Sequence, residues 1–206
     1  MTTQAIETKK ICSVDIETTE LIDREKTGFD YLDMACGSVF DENGSREFLE
    51  ASEDRPEEGI ELVRTLVHYD LIVGFNLCSF DLAVIKNYES KHQLRLAGLN
   101  YCDILLDICR SVGYRLSLDN ITENTLKIQK SEKGALAPDL WKQRKYSRVL
   151  TYCSLDAAIV FKLFQYILEN KHIFYFNKRL NRICKLALNL SVRDHLGIIT
   201  YERAAD

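Results

Sequence analysis

Five residues combine a reactive side chain with an informative position: Asp15, Glu17, Asp81, Tyr152 and Asp156. Asp15-Ile16-Glu17 lies in the alternating stretch Ile11-Cys12-Ser13-Val14-Asp15-Ile16-Glu17. A strand has a side-chain period of two, so Cys12, Val14 and Ile16 are predicted on one face and Ser13, Asp15 and Glu17 on the other. Two carboxylates at the end of a buried strand repel each other unless a cation sits between them. A solvated acidic face on an edge strand would give the same spacing, so the pair decides nothing alone. Asp81 follows the apolar run Leu71-Ile72-Val73-Gly74-Phe75 and opens a predicted helix, a place where α/β sheets build sites. Its structural alternative is a first-turn acid favoured by the helix dipole. Asp156 falls at the margin of an otherwise apolar helix stripe with Tyr152 one turn before it, and either could serve only packing or a backbone hydrogen bond.

The elements that must position these groups can be read in order. A second strand is predicted around residues 31–39, then an Asp41-Glu42-Asn43-Gly44 turn and a returning strand over 46–49. Asp54-Arg55-Pro56-Glu57 has the form of a helix start with Asp54 as cap, and that helix should bury Ile60, Val63, Leu66 and Val67. The Leu71–Phe75 run predicts a strand covered on both faces, followed by a helix carrying Leu82, Val84, Ile85 and Tyr88. A strand over 99–102, a helix over 103–112 and a short helix capped by Ser117 come next; residues 130–139 are predicted as a loop containing Gly134 and Pro138. The longest helix is expected over 146–168, with Val149, Leu150, Cys153, Ala157, Val160, Phe161, Phe164, Ile167 and Leu168 on one stripe and Lys162, Gln165 and Glu169 opposite. Early strands followed by alternating strands and helices predict an α/β fold, a mixed β-sheet with helices on both faces.

With 206 residues, 46% apolar and 28% charged, the composition is that of one sizeable globular domain with at most a short appendage. No apolar run reaches the length of a membrane span, and the polar start lacks a signal-peptide core, so a cytoplasmic protein with no membrane role is expected. Seven cysteines scattered through apolar stretches, with no C-x-x-C pair, read as small core hydrophobes rather than disulfides or a zinc site. A net charge of −4 argues against a protein that coats nucleic acid unspecifically. The charge is nevertheless uneven: acids dominate residues 41–61, and bases dominate 127–148 and 171–193. Trp141 and Tyr146 lie within the first basic segment, Trp141 more plausibly as a core residue. Lys142, Arg144 and Lys145 just ahead of Tyr152 suggest a rim that grips phosphates, although a solvated helix start explains them as well. The pattern of the second segment leaves open whether it extends the fold or forms a basic arm. His68, His92, His172 and His195 share no ligand spacing.

In combination the acids resemble the DEDD superfamily of 3′–5′ exonucleases, which have the ribonuclease H-like fold. The family's D-x-E is matched by Asp15-Ile16-Glu17, its N-x-x-x-(F/Y)-D by Asn76-Leu77-Cys78-Ser79-Phe80-Asp81, and its Y-x-x-x-D by Tyr152-Cys153-Ser154-Leu155-Asp156. All three stand in the family's order, on the element types the family uses. A tyrosine in the third motif, with Thr151 where the histidine subgroup would place its base, resembles the tyrosine subgroup, which includes the proofreading domains of family B DNA polymerases.

The resemblance implies a ribonuclease H-like exonuclease domain over residues 8–170; it does not cover the tail, and the basic C-terminal extension over 171–206 is expected to pack on the same domain. It implies two Mg2+ or Mn2+ ions: Asp15 bridging both, Glu17 and Asp156 holding the ion nearer the water, Asp81 anchoring the second through water, and Tyr152 orienting the attacking water. The chemistry is compatible, since clustered carboxylates need divalent cations and two such ions about 4 Å apart suit in-line phosphodiester hydrolysis. Asn76 and Phe80 join the basic trio as substrate-binding candidates. The implied substrate is the 3′ end of single-stranded DNA or RNA, with DNA favoured. A chain this short has no room for a polymerase, so a proofreading role would need a protein partner from the replication or repair machinery. Two rivals remain at this level: a structure-specific endonuclease on the same scaffold, and a ribonuclease H-like module that binds without cleaving.

Overall fold

The computed structural model describes residues 10–23, 26, 32–49, 57–92, 99–128 and 137–194. Six strands form the main sheet in the order β3-β2-β1-β4-β5-β8. At its centre β1 (Ile11–Thr18) pairs antiparallel with β2 (Met34–Asp41) and parallel with β4 (Leu71–Gly74). β3 (Gly44–Leu49) returns beside β2, while β5 (Asn100–Asp103) runs parallel to β4 and pairs at its far side with the two-residue β8 (Arg193–Asp194). The second strand therefore starts later than its composition suggests; Tyr31 lies outside the described residues, as do Asp54, Pro56 and residues 129–136.

Alternation along β1 separates the two sides of the core. Cys12, Val14 and Ile16 pack with Leu62, Val63 and Leu66 of α1 (Glu57–Leu66) and with Leu82, Val84 and Ile85 of α2 (Asp81–His92). Leu71 and Val73 point the other way, into a cluster with Ile104 and Ile108 of α3 (Ile104–Val112), Ile121 of α4 (Leu118–Thr125) and five apolar residues of α6 (Tyr146–Asn170). Helices thus cover both faces, as the strand and helix order predicts.

Several local expectations change on contact with the fold. Val67 is 44% exposed, because α1 ends at Leu66 and the buried position falls to Leu62 instead. Residues 137–139, expected in a loop, begin α5 (Ala137–Lys142); Pro138 sits in its first turn, where the missing N–H costs nothing. The helix α6 is buried more widely than one stripe, with Ser154, Ile159 and Leu163 also inside. It lies against the sheet and against α5, and its C-terminal half reaches the small second sheet, so two sides need apolar cover. Residues 172–187 form that second sheet, a hairpin of β6 (His172–Asn177) and β7 (Arg182–Ala187). All seven cysteines are free, four of them fully buried.

Candidate active site

Only the first three residues of β1 have partners on β4, from Ile11 opposite Leu71 to Ser13 opposite Val73. Beyond them β1 continues past the end of its neighbour, and its N–H groups need other acceptors. Asp81, the first residue of α2, supplies one: its Oδ1 accepts from the Ile16 N–H at 2.9 Å. The gap left where β1 and β4 part is the opening that α/β sheets use for ligands.

The turn joining β4 to α2 is held by a residue that the motif reading did not single out. Asp103, at the end of β5, caps α3 by accepting from Leu106 N at 3.2 Å, and its two oxygens also accept from Asn76 N at 3.1 Å and Cys78 N at 3.0 Å. Asn76 itself takes a left-handed conformation, φ 70°, which asparagine tolerates better than most residues. Gly74 is required just before it. A Cβ there would stand 2.6 Å from that of Leu77, closer than atoms pack.

Two bonds tie β1 to α6. Ser13 Oγ donates to the Ala157 carbonyl at 2.6 Å, and Cys153 Sγ donates to the Asp15 carbonyl at 3.1 Å. Tyr152 and Asp156, which flank these contacts, are thereby brought to the end of β1. Asp15 and Asp156 line one cleft of about 460 Å³ together with Phe75, Asn76, Arg115 and the cap and first residue of α4, Ser117 and Leu118.

Electrostatics show how tightly the acids crowd. Burial pushes the Glu17 carboxyl well above the usual range, and repulsion from Asp15, Asp156 and Asp81 adds to it. Asp81 is raised by burial and by Asp15, against the opposing effect of the backbone N–H groups it accepts from. Tyr152 is raised above its ordinary value by burial first, then by Asp156 and Glu17, and its hydroxyl is hydrogen-bonded to Asp156. It stays a neutral phenol. A cluster of hard oxygen donors that repel one another has the chemistry that Mg2+ or Mn2+ ions satisfy. Among the described residues, no three Asp, Glu, His or Cys side chains form a ready-made metal cage.

The remaining candidates are placed less uniformly. Asn76 lines the cleft, and its Oδ1 accepts from Arg115 Nη2 at 2.8 Å. Phe80 packs against the core under α1 and α2. Lys142 ends α5 and Arg144 and Lys145 lie in the turn before α6, all three exposed; Lys145, just ahead of α6, stands about 10 Å along the helix axis from Tyr152. Trp141 packs on Tyr146 with ring centroids 4.6 Å apart. The residues missed were Asp103 and Arg115. The first carried a signal, an acid between a strand and a helix start; the second is one basic residue in a polar loop, with nothing in its spacing to mark it.

The family comparison covers most of this architecture. A model of the RNase_H superfamily, RNase_H_2, matches residues 12–168, from the start of β1 almost to the end of α6. The chain belongs to that family, and its fold is ribonuclease H-like. Among solved structures it is similar to a family B DNA polymerase from the hyperthermophilic archaeon Pyrobaculum calidifontis, with 17% identity and a TM-score of 0.63 over 78% of this chain. The similarity spans 24% of that polymerase's length. No curated protein matches the sequence significantly. Family and fold together support a nuclease. No helix of the described residues is long and apolar enough to cross a membrane.

Proposed function

We propose that this chain is a metal-dependent 3′–5′ exonuclease of the tyrosine DEDD subgroup, acting on single-stranded nucleic acid ends, DNA in preference to RNA. The observation that carries the reading is the meeting of Asp15, Glu17, Asp81, Asp156 and Tyr152 at the opening between β1 and β4. Asp15, Glu17, Asp81 and Asp156 would hold the divalent ions, Glu17 and Asp156 together with Asp15 on the side of Tyr152 and Asp81 with Asp15 on the other. Bound Mg2+ or Mn2+ supplies Lewis-acid stabilisation of charge on the phosphodiester oxygens. Tyr152 acts as an uncharged hydrogen-bonding group: held by Asp156, its hydroxyl orients the water that attacks the terminal phosphodiester. Because its phenol is raised, it keeps its proton at every working pH. Asn76, in its left-handed turn, presents the cleft wall to the terminal nucleotide, and Lys142, Arg144 and Lys145 take phosphates further out. Should the natural substrate be a replicating or repaired strand, a protein partner would deliver it.

The test is digestion of 5′-labelled single-stranded DNA and RNA with Mg2+ or Mn2+, beside Asp15→Asn and an EDTA control. A ladder shortening from the 3′ end, absent in both controls, is expected. Equal cleavage of a 3′-blocked strand would replace the exonuclease reading with an endonuclease, and no cleavage of either polymer would reject the activity.

A further inference from the structure

The β6–β7 hairpin lies beyond the residues that the family model matches, and it carries a charge pattern of its own. From Lys171 to Arg193 the chain has six lysines and arginines and no acid. At the hairpin turn, Lys178, Arg179, Leu180, Asn181, Arg182 and Ile183 are all exposed, with Leu180 at 56% and Ile183 at 55%. Apolar side chains held in water among cations suit a flexible polyanion with flat apolar bases.

The hairpin is rigidly connected to the cleft. Asn177 shapes the turn, its Oδ1 accepting from Arg179 N at 3.0 Å and Leu180 N at 3.1 Å. Its Nδ2 donates to the Tyr114 hydroxyl at 3.2 Å, and the same hydroxyl meets that of Tyr175 at 3.2 Å. Arg179 lies within electrostatic reach of the Tyr114 phenol. Tyr114 is 45% exposed, and the next residue, Arg115, is part of the cleft wall that also contains Asp15 and Asp156. From the other side Asn120 of α4 brackets Phe176, donating to its carbonyl at 2.9 Å and accepting from its N–H at 2.7 Å. Thr125 does the same for Phe174 at 2.8 and 2.9 Å. Ser117 and Leu118, the cap and first residue of α4, line the cleft, so one helix fixes hairpin and cleft in a single geometry.

We propose that the exposed hairpin turn and the Tyr114 ring form a track that carries single-stranded polynucleotide from the surface into the acidic cleft. Lys178, Arg179 and Arg182 hold phosphates, and Tyr114 stacks a base. Arg115, tethered by Asn76, receives the strand at the cleft. The proposal rests on the nucleic-acid reading of that cleft and supplies the part of the binding surface lying away from the reacting bond.

Binding can be tested apart from cleavage, in the Asp15→Asn background with EDTA, by fluorescence anisotropy of 5′-fluorescein dT20 and dT3. Replacing Lys178, Arg179 and Arg182 by alanine should weaken dT20 binding about tenfold or more and lower its logarithmic salt slope by about 2, three contacts at roughly 0.7 each. Affinity for dT3, too short to leave the cleft, should not change. Tyr114→Ala should weaken dT20 binding about fivefold or more, whereas Tyr114→Phe, which keeps the ring, should not. Unchanged dT20 affinity in the triple variant, or equal losses for dT3 and dT20, overturns the track. A protein without nuclease activity that still shows the length-dependent loss keeps the track and loses the exonuclease.

Discussion

Tyr152 and Glu17 show how much a neighbour decides at the scale of single residues. The phenol of Tyr152 is held uncharged by burial and by Asp156. Tyr152→Phe should leave the fold intact and lower kcat about 10- to 100-fold with little change in KM, the scale of one lost hydrogen bond that orients the attacking water; steady-state kinetics on labelled oligonucleotides measure it. Glu17 and Asp81 both bind protons more tightly in the native state than in the unfolded chain. Stability from such raised groups is fully present below the ordinary carboxylate range and is lost as pH rises through their native values. In EDTA the melting temperature should therefore fall as pH rises from about 4.5 toward neutrality. Glu17→Gln should flatten that slope, and added Mg2+ should raise the melting temperature at neutral pH. A wild-type slope unchanged in Glu17→Gln would contradict this account of the cluster.

The decisive element is the turn from β4 into α2, which is built from outside itself. Three backbone N–H groups converge on the Asp103 carboxylate, two from the turn and one from the start of α3. Asp103→Ala removes a helix cap and both anchors of the turn, a loss of about 2–4 kcal/mol by urea unfolding. Hydrogen exchange at residues 76–80 should rise in the same variant. Gly74→Ala acts on the same turn from within. Its new methyl would collide with Leu77, and the resulting overpacking should cost about 1–3 kcal/mol and lower activity with it, because α2 and Asp81 would have to move. Motif order placed Asp81 at a helix start, where it stands; its partner, the Ile16 N–H, arises only because β1 outruns β4.

Across the whole molecule, α6 crosses the sheet on the face opposite α1 and α2, packing on β1, β2, β3 and β4, and a clasp holds the far edge of the sheet at β8. Asp107, almost fully buried on α3, accepts from Ser191 N at 2.8 Å and is ion-paired with Arg193, so β8 is held beside β5. Arg193→Ala leaves a buried carboxylate without its cation and should destabilise the protein by about 3 kcal/mol in urea. The edge at residues 100–103 should exchange its amides faster, while cleavage by the folded fraction persists. Loss of cleavage with stability intact would place Arg193 in the site instead of the clasp.

What the sequence alone determined is whatever depends on local period and order: the alternation of β1, the apolar β4, the cap Ser117, the amphipathic α6, and the succession of acids that marked a candidate site. These are short-range consequences of backbone geometry, and they survive into the structure with boundary shifts at β2, α1 and α5. Tertiary structure decided what depends on distances between remote segments. It decided that Asp103 pins a turn 25 residues away, that Arg115 meets Asn76 in the cleft wall, and that a basic tail of undecided form folds into a hairpin locked to α4. A charge run has no period to read. Its meaning comes from the surface it is held against, and only packing across the chain supplies that.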